Sequence, residues 1–427
     1  MIERSFFSLT RPRLTCPALS SGHHEVVEIP LPAKAHVHLD GAYGGAEEVS
    51  ILRGKRVKTG QRIALNGNGG RYFISPVAGV ISRTSSVTGY LGRRLIDIAF
   101  DVDREDLRDE DFSGSANTPP MERISRFLGS LPGQKDFASV VGFQPPLKTV
   151  VVHGIDQEVL VSTNRFVVQT RLEDLAKGIR LLKQVCSECR IILLAASNSE
   201  IKAETLGAEV MRVTPTYPDL LPKVIMKRLF GLEVPAGSRC EEMGIGFLSA
   251  EAVACFGAAF SDGQIPVHKT LTVIKKDSSI VNVRARIGTP LRDILKALDI
   301  ATRQGDRLIL GGPMRGLAVY SEETPVLADT DALMVQDSSR AAMISEAHCV
   351  NCGECVRICP AKMPVNMLIR VLENRMYEEA AQTYDLLSCV ECGLCSYVCI
   401  ARIPVFHYVM LGKHEYGRMK TAEGSNA

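Results

Sequence analysis

A chain of 427 residues is too long for one hydrophobic core, so two to four domains are expected. Its 45% hydrophobic and 23% charged residues are the balance of an ordinary globular protein, and a net charge of +2 excludes a strong general pull toward nucleic acid or an anionic membrane surface. No apolar run approaches the roughly 18 residues of a membrane span, and the opening "MIERSFFSLTRPRLTC" lacks the apolar stretch of a secretory signal, so a cytoplasmic chain touching membranes only through partners is expected.

Residues 25–100 read as short strands and turns: "VVEIPLP", "AKAHVHL", "GKRVKTGQRIALNG", "RYFISPVAGVISRTSS" and "RRLIDIAF". Glycine and proline punctuate them at the short intervals of a small barrel or sandwich. Residues 101–120 follow, with seven acidic residues and then Ser, Gly, Asn and two prolines, the composition of a solvated linker.

From about residue 148 the rhythm changes. "KTVVVHGI", "RIILLAAS" and "EVMRVTP" read as strands. "LEDLAKGIRLLKQV", which sets Leu172, Leu175, Ile179 and Leu182 on one face, reads as a helix, as do "NSEIKAETLG", "DLLPKVIMKRLFG" and "SAEAVACFGAAFSDG". This alternation predicts a doubly wound α/β layer. Between 267 and about 330, strands "VHKTLTVIK", "IVNVRARIG" and "DRLILGGPM" with helix "PLRDILKALDI" form a compact α+β unit. The last eighty or so residues read as helices around cysteines.

Eight of the thirteen cysteines lie between Cys349 and Cys399. Cys349, Cys352, Cys355 and Cys359 stand at intervals of x2, x2 and x3, followed by Pro360; Cys389, Cys392, Cys395 and Cys399 repeat the intervals, followed by Ile400. This is the spacing of ferredoxin 4Fe–4S ligands. The short gaps let one tight loop wrap three iron corners, and the longer gap carries the fourth thiolate toward a second cluster. The expected sets are Cys349, Cys352, Cys355 with Cys399, and Cys389, Cys392, Cys395 with Cys359. Zinc and disulfides explain this doubled run poorly, since structural zinc favours paired cysteines across longer loops. Ile400 in place of proline is expected to alter the local backbone but not the ligands. Between the phrases, Val365, Leu368, Leu372 and Met376 share a helical stripe. The spacer is too long for a minimal hairpin ferredoxin, so an all-helical dicluster module is expected.

With these residues in view, the order of modules resembles the C subunit family of the Rnf electron-transport complex, over roughly residues 25–415. "GKRVKTGQRIA…ISPVAGVIS" is similar to its barrel-sandwich hybrid domain. "VVVHGIDQEVLVSTNRFVVQTRLEDLAKGIRLL", "GLEVPAG" and "GIGFLSAEAV" are similar to its complex-I-flavoprotein-like α/β domain. "VNVRARIGTPLRDIL" and "GGPMRGLAV" are similar to its soluble-ligand-binding β-grasp module, and the cysteine region through "IPVFHYV" to its dicluster domain. The resemblance implies a multidomain α/β and α+β protein: barrel-sandwich 25–100, linker 101–120, NADH/FMN-domain-like 145–264, β-grasp 265–330 and helical ferredoxin domain 340–415.

The chain departs from the family where flavin and NADH would bind. The glycine-rich phosphate loop is replaced by "RFLGSLPGQKDFASVVGFQPPLK". The family's N-G-A-E-C-E-P stretch is His153-Gly154-Ile155-Asp156-Gln157-Glu158-Val159, keeping only the acid at Asp156 and Glu158, and its paired glycines after Tyr-Pro are missing from "YPDLLPK". A divergent member with degenerate FMN and NADH motifs is expected, without an independent hydride-transfer site; Asp156 and Glu158 are the flavin contacts if flavin is retained.

Smaller signals point to ordinary structure. The turn "LNGNGGRYF" has no lysine for a biotin or lipoate arm. Cys186-x2-Cys189 reads as two packed thiols, and Cys16, Cys240 and Cys255 as structural. His36 and His38 share a strand face, with His23, His24 and Asp40 as weak company for a metal. His348 precedes the first cluster loop, and Gly311-Gly312-Pro313 suits a close approach or a plain turn.

The expected function is single-electron relay through two 4Fe–4S clusters, in a peripheral cytoplasmic subunit of an Rnf-like complex at the inner membrane. Partners would be other subunits of that complex and a redox donor such as a ferredoxin or flavoprotein, with no nucleic acid and no direct membrane span. The alternatives are an FMN-dependent NADH:acceptor oxidoreductase subunit with a diverged pocket, a microcompartment-type corrinoid reductase, and a scaffold that only binds partners.

Overall fold

The computed structural model describes residues 14–15, 25–40, 52–65, 71–186, 188–199, 201 and 203–425. His23, His24, Cys16 and the turn at 66–70 lie outside these residues. In the first antiparallel sheet, Arg94–Val102 lies between Lys34–Asp40 and Gly79–Thr88, and the latter also pairs with Arg56–Val57. A separate ladder joins Arg62–Ala64 to Tyr72–Ile74. Alternating residues turn Ala35, Ile81, Ile96, Ile98 and Phe100 into one core with Ile63 and Phe73. Gly79 is required there, because a Cβ would stand 2.2 Å from the Asp101 carbonyl oxygen. His36 and His38 both face Asp97, at 3.0 and 3.5 Å, and not Asp40.

Val27–Glu28 precedes this sheet in sequence but pairs in parallel with Val283–Arg284 of another. The acidic stretch after Val102 is fastened at several points. Asp106 accepts from Thr59 and, at 2.6 Å, from Arg286, while Phe112 is buried between Phe127 and Phe260. The apolar ring outweighs its acidic neighbours, which stay in water.

The parallel sheet has the order Glu209–Val213, Arg190–Ala196, Thr149–His153, Ile245–Ser249. Both its faces are buried, which explains the continuous apolar runs. Val150, Val152, Ile191 and Leu193 meet the helices Leu172–Val185 and Ala250–Asp262; Val151, Ile192 and Leu194 meet Ile225 and Met226 of the helix Pro222–Phe230. Two glycines let the first pair of helices cross closely: a Cβ on Gly178 would lie 1.9 Å from the Val253 carbonyl oxygen, and one on Gly257 would lie 2.2 Å from that of Asp174. Ser249 caps the helix Ala250–Asp262 by accepting from the Ala252 N–H at 3.0 Å.

A six-stranded mixed sheet follows, in the order Leu317–Val319, Arg307–Leu310, Ala332–Gln336, His268–Ile274, Ile280–Arg286, Val27–Glu28, covered by the helix Leu291–Ala297. Lys269, fully buried, joins this sheet to the α/β layer through Glu251 and also binds Asp331, just before the neighbouring strand of its own sheet. The rest is helical: Glu354–Ile358, Val365–Glu373, Tyr377–Gln382, Leu394–Val398 and Val405–Ser425. Val365, Leu368 and Leu372 are buried as the stripe predicts, but Met376 is half exposed. The helix ends at Glu373 and Arg375 turns left-handed, so the stripe does not reach Met376. Among the described residues no helix is long and apolar enough to cross a membrane.

Candidate cluster site and the adjoining cavity

Each cysteine phrase folds as a loop, a short helix and a turn. The loops place Asn351 and Glu391 at φ 57° and 58°, and Gly353 and Gly393 at 75° and 70°; the turns place Lys362 and Arg402 both at 55°. The expected backbone change at Ile400 is not found. The turn is held by the Lys362 and Arg402 N–H groups, which donate to the Cys359 and Cys399 carbonyls at 3.2 and 3.1 Å, and neither bond needs proline.

The fold brings the two phrases together crosswise. Cys349, Cys352 and Cys355 line one cavity, and the fourth cysteine on its wall is Cys399, from the other repeat. Ile369, Ile403 and Val405 complete that wall with apolar surface. Reciprocally, Cys359 stands close to Cys389, Cys392 and Cys395. Burial, with the neighbouring Cys389 and Cys359 thiols, pushes the Cys392 thiol up to about 12, and burial with Cys389, Cys392 and Cys359 also raises Cys395 well above the ordinary thiol value. Burial, then Cys349 and Cys352, raises Cys355 to about 11. Among the described residues no three His, Cys, Asp or Glu side chains meet where they could share one ion. The first quartet instead lines one small cavity, its four thiols standing apart as the corner ligands of a cubane do.

The two quartets differ in exposure. Cys352 is exposed, and beside it Val350 and Ile400 are 62% and 45% exposed. Cys392 is buried against the α/β layer, where Leu394, Val398 and Ile358 pack on Tyr217, Leu221 and Val224. Gly393 has no room for a side chain, since a Cβ would lie 2.2 Å from the Met314 carbonyl oxygen. Nothing in the spacing of the cysteines marks Tyr217 or Met314 as their neighbours.

Behind this contact lies a cavity of about 600 Å³ at the carboxyl ends of the strands Thr149–His153 and Ile245–Ser249. Its wall carries Asp156, Glu158, Glu241, Asp329 and Asp331 against Arg315 as the lone Lys or Arg among its lining residues. The structure thus brings Asp156 and Glu158 to one pocket. Asp156 accepts from the Asn164 N–H at 2.7 Å and from Arg165 Nε at 3.0 Å; burial raises its carboxyl and Arg165 opposes the rise. Glu158 accepts from the Val159 and Arg315 N–H groups at 2.8 and 2.9 Å, and burial raises it to about 7. A Cβ on Gly312 would meet Glu158 Cγ at 2.0 Å, so the close approach foreseen for this glycine is made by the chain's own carboxylate. His153 stacks on Phe247, centroids 5.4 Å apart; burial lowers it to about 4, and among the described residues neither ring nitrogen has a hydrogen-bond partner. His348 is exposed, and Cys186 and Cys189 are half-buried neighbours at the end of the helix Leu172–Val185.

Residues 341–400 match the family model for a 4Fe-4S dicluster domain. Three relatives bear the name of the C subunit of an ion-translocating oxidoreductase complex. That of Cronobacter sakazakii is 24% identical over 363 residues, covering 79% of this chain and 46% of the relative. That of Klebsiella pneumoniae is 24% identical over 373 residues, covering 83% and 50%. That of Rhodobacter capsulatus is 27% identical over 227 residues, covering 50% and 43%. The chain spans about half the length of the curated relatives it matches. A crystal structure of an NAD+-reducing [NiFe]-hydrogenase in the H2-reduced state superposes with a TM-score of 0.46 at 13% identity, covering 71% of this chain and 62% of that one. Along most of its length the chain is thus similar to C subunits of ion-translocating oxidoreductase complexes, and its doubled cysteine phrase falls in the matched dicluster domain.

Proposed function

We propose that this chain is an electron-transfer subunit that relays single electrons through two 4Fe–4S clusters, within a membrane-bound redox complex of the Rnf kind. The observation that carries the reading is the crosswise grouping of Cys349, Cys352, Cys355 with Cys399 and of Cys389, Cys392, Cys395 with Cys359. When bound, the clusters supply one-electron redox chemistry. The chain's residues do the rest. The eight thiols would give up their protons and hold iron as thiolates, Ile369, Ile403 and Val405 exclude water, and loop N–H groups such as that of Glu391 point at sulfur.

The exposed Cys352 side faces the partner, and the buried Cys392 side faces the α/β layer. The partners are other subunits of the complex and a donor such as a ferredoxin or flavoprotein, on the cytoplasmic side of the inner membrane. The strand-bearing and helical units take the roles of barrel-sandwich, α/β, β-grasp and dicluster modules, except that Val27–Glu28 and Ala332–Gln336, outside the expected 265–330, belong with the β-grasp sheet.

The large cavity is not an FMN site of the family kind. An FMN phosphate seeks free N–H groups or cations, whereas five carboxylates and one arginine line this wall. Asp156 and Glu158 already accept from Arg165 and from backbone N–H groups. One observation favours a second reading, a flavoenzyme with a diverged pocket: the cavity lies at the strand ends and contains the unpartnered His153.

The test is anaerobic purification followed by iron, sulfide and flavin counts on one sample. About eight irons per chain, two cubanes of four, and no stoichiometric flavin are expected. About four irons, or zinc, overturns the two-cluster reading. One flavin per chain overturns the reading of the cavity.

A further inference from the structure

The two cysteine loops share a backbone but not their charges. In the second repeat, Lys413 of the helix Val405–Ser425 donates from Nζ to the Cys389 carbonyl and to Glu391 Oε1, each at 2.8 Å. The lysine side chain is 16% exposed and the glutamate 39%. The Glu391 N–H points in turn at Cys389 Sγ, 3.4 Å away. Forty residues earlier, the same positions are Glu373 and Asn351, so the first repeat has no lysine there. Asn351 Oδ1 instead accepts from Asn366 Nδ2 at 2.8 Å. Two neutral amides brace the first loop. An ion pair whose cation is the deeper member braces the second.

We infer that Lys413 is a positioning residue that braces the second cysteine loop and raises the potential of the cluster held by Cys389, Cys392, Cys395 and Cys359. This rests on the two-cluster reading above. One-electron reduction adds a negative charge to a cluster, and a nearby cation stabilises the reduced form. Glu391 opposes this, but it is more exposed and better screened by water and salt. The first cluster has no matching ammonium at the repeat-equivalent position, so the repeat makes two clusters with alike ligands and unlike electrostatics. The brace also explains why the loop geometry stays the same in both repeats while the charges differ.

The experiment is an anaerobic potentiometric titration of the full chain, followed by EPR and visible absorbance, on wild type, Lys413→Met, Lys413→Arg and Glu391→Gln. In Lys413→Met, one of the two one-electron steps moves to lower potential. At a fixed potential its reduced-to-oxidised ratio falls about tenfold, or about 59 mV for a one-electron couple. Lys413→Arg restores most of that shift. Glu391→Gln moves the same step the opposite way, and the other step stays in place in all variants. Loss of a brace alone gives no such opposed pair of shifts. Unmoved steps in both charge variants, or two steps moving together, overturn the inference. If Lys413→Met fails to hold its clusters, Glu391→Gln decides by the sign of its shift. A wild type with about four irons and a single step defeats the two-cluster reading itself, a result distinct from two unmoved steps.

Discussion

The phenol of Tyr217 donates to the carbonyl of Cys392 across 2.5 Å, tying the α/β layer to the loop of the second cysteine phrase. Both partners are buried, so removing the hydroxyl leaves a carbonyl with no water to replace it. Tyr217→Phe keeps the ring packing on Leu221, Leu394 and Val398 and deletes this bond. We expect a cost of about 1–3 kcal/mol, read as faster bleaching of the visible cluster absorbance in the presence of a chelator. Bleaching at the wild-type rate would show that the contact does not hold the loop.

Crosswise grouping makes an unusual demand on double variants. Cys349→Ala with Cys399→Ala removes two ligands of one cluster, and about four irons remain. Cys349→Ala with Cys359→Ala removes one ligand from each, and iron falls toward zero. If each phrase held its own cluster, the two outcomes would be exchanged. Iron and sulfide analysis of anaerobically purified protein distinguishes them.

Loading of the clusters should depend on pH in a fixed direction. Burial and neighbouring thiols hold Cys355 at about 11 and Cys392 at about 12, so both carry protons at neutral pH in the metal-free chain. Each proton must leave before the thiolate binds iron. Reconstitution with iron and sulfide should therefore be several-fold faster at pH 8.5 than at pH 6.5, with protons released to the medium. A rate that rises on acidification would contradict this.

Glu158 predicts a second pH effect, of opposite origin. Burial raises its carboxyl to about 7 in the folded chain from an ordinary value of 4.5. The folded state therefore holds the proton more tightly than the unfolded one. The stabilisation is complete below about 4.5, declines as pH rises toward 7, and is gone above it. Glu158→Gln cannot ionise and escapes the decline. Relative to wild type it should gain about 2 kcal/mol between pH 5.5 and pH 8, measured from denaturant midpoints of the anaerobic protein. A constant difference across that range would mean that the carboxyl titrates normally.

In the first sheet, Asp97 accepts from His36 Nδ1 at 3.0 Å and from Arg83 at 3.2 Å. Burial alone would raise its carboxyl, but the His36 and His38 hydrogen bonds and charges hold it well below the usual range. Its stabilisation is present above the ordinary carboxylate value and is lost as pH falls through the folded one. Asp97→Asn should lower the thermal midpoint at pH 7 and lose part of that penalty in acid.

Much of the candidate site was readable because ligand spacing is local. The intervals of Cys349 to Cys359 and Cys389 to Cys399 specify a loop and a departing helix whatever surrounds them. The α/β layer was readable from apolar runs such as "TVVVH", since strands buried on both faces leave no other pattern. The acidic stretch after Val102 was misleading, because composition averages over Phe112 and over the pairing of Asp106 with Thr59 and Arg286, which fasten the segment.

Other features had no local signal. Val27–Glu28 joins a strand some 250 residues away. The cavity wall gathers Asp156 and Glu158 with Gly312 and Arg315 from a different sheet. Lys413 reaches Cys389 only because the helix Val405–Ser425 folds back across the loop.

By itself, the sequence determined the cluster chemistry and the local shape of each unit, since thiolate spacing and hydrophobic period act over a few residues. Only the tertiary structure decided which cysteine loop is buried against the α/β layer and which charges face each one. Those depend on packing between segments far apart in the chain, where burial and desolvation set the energy of every contact.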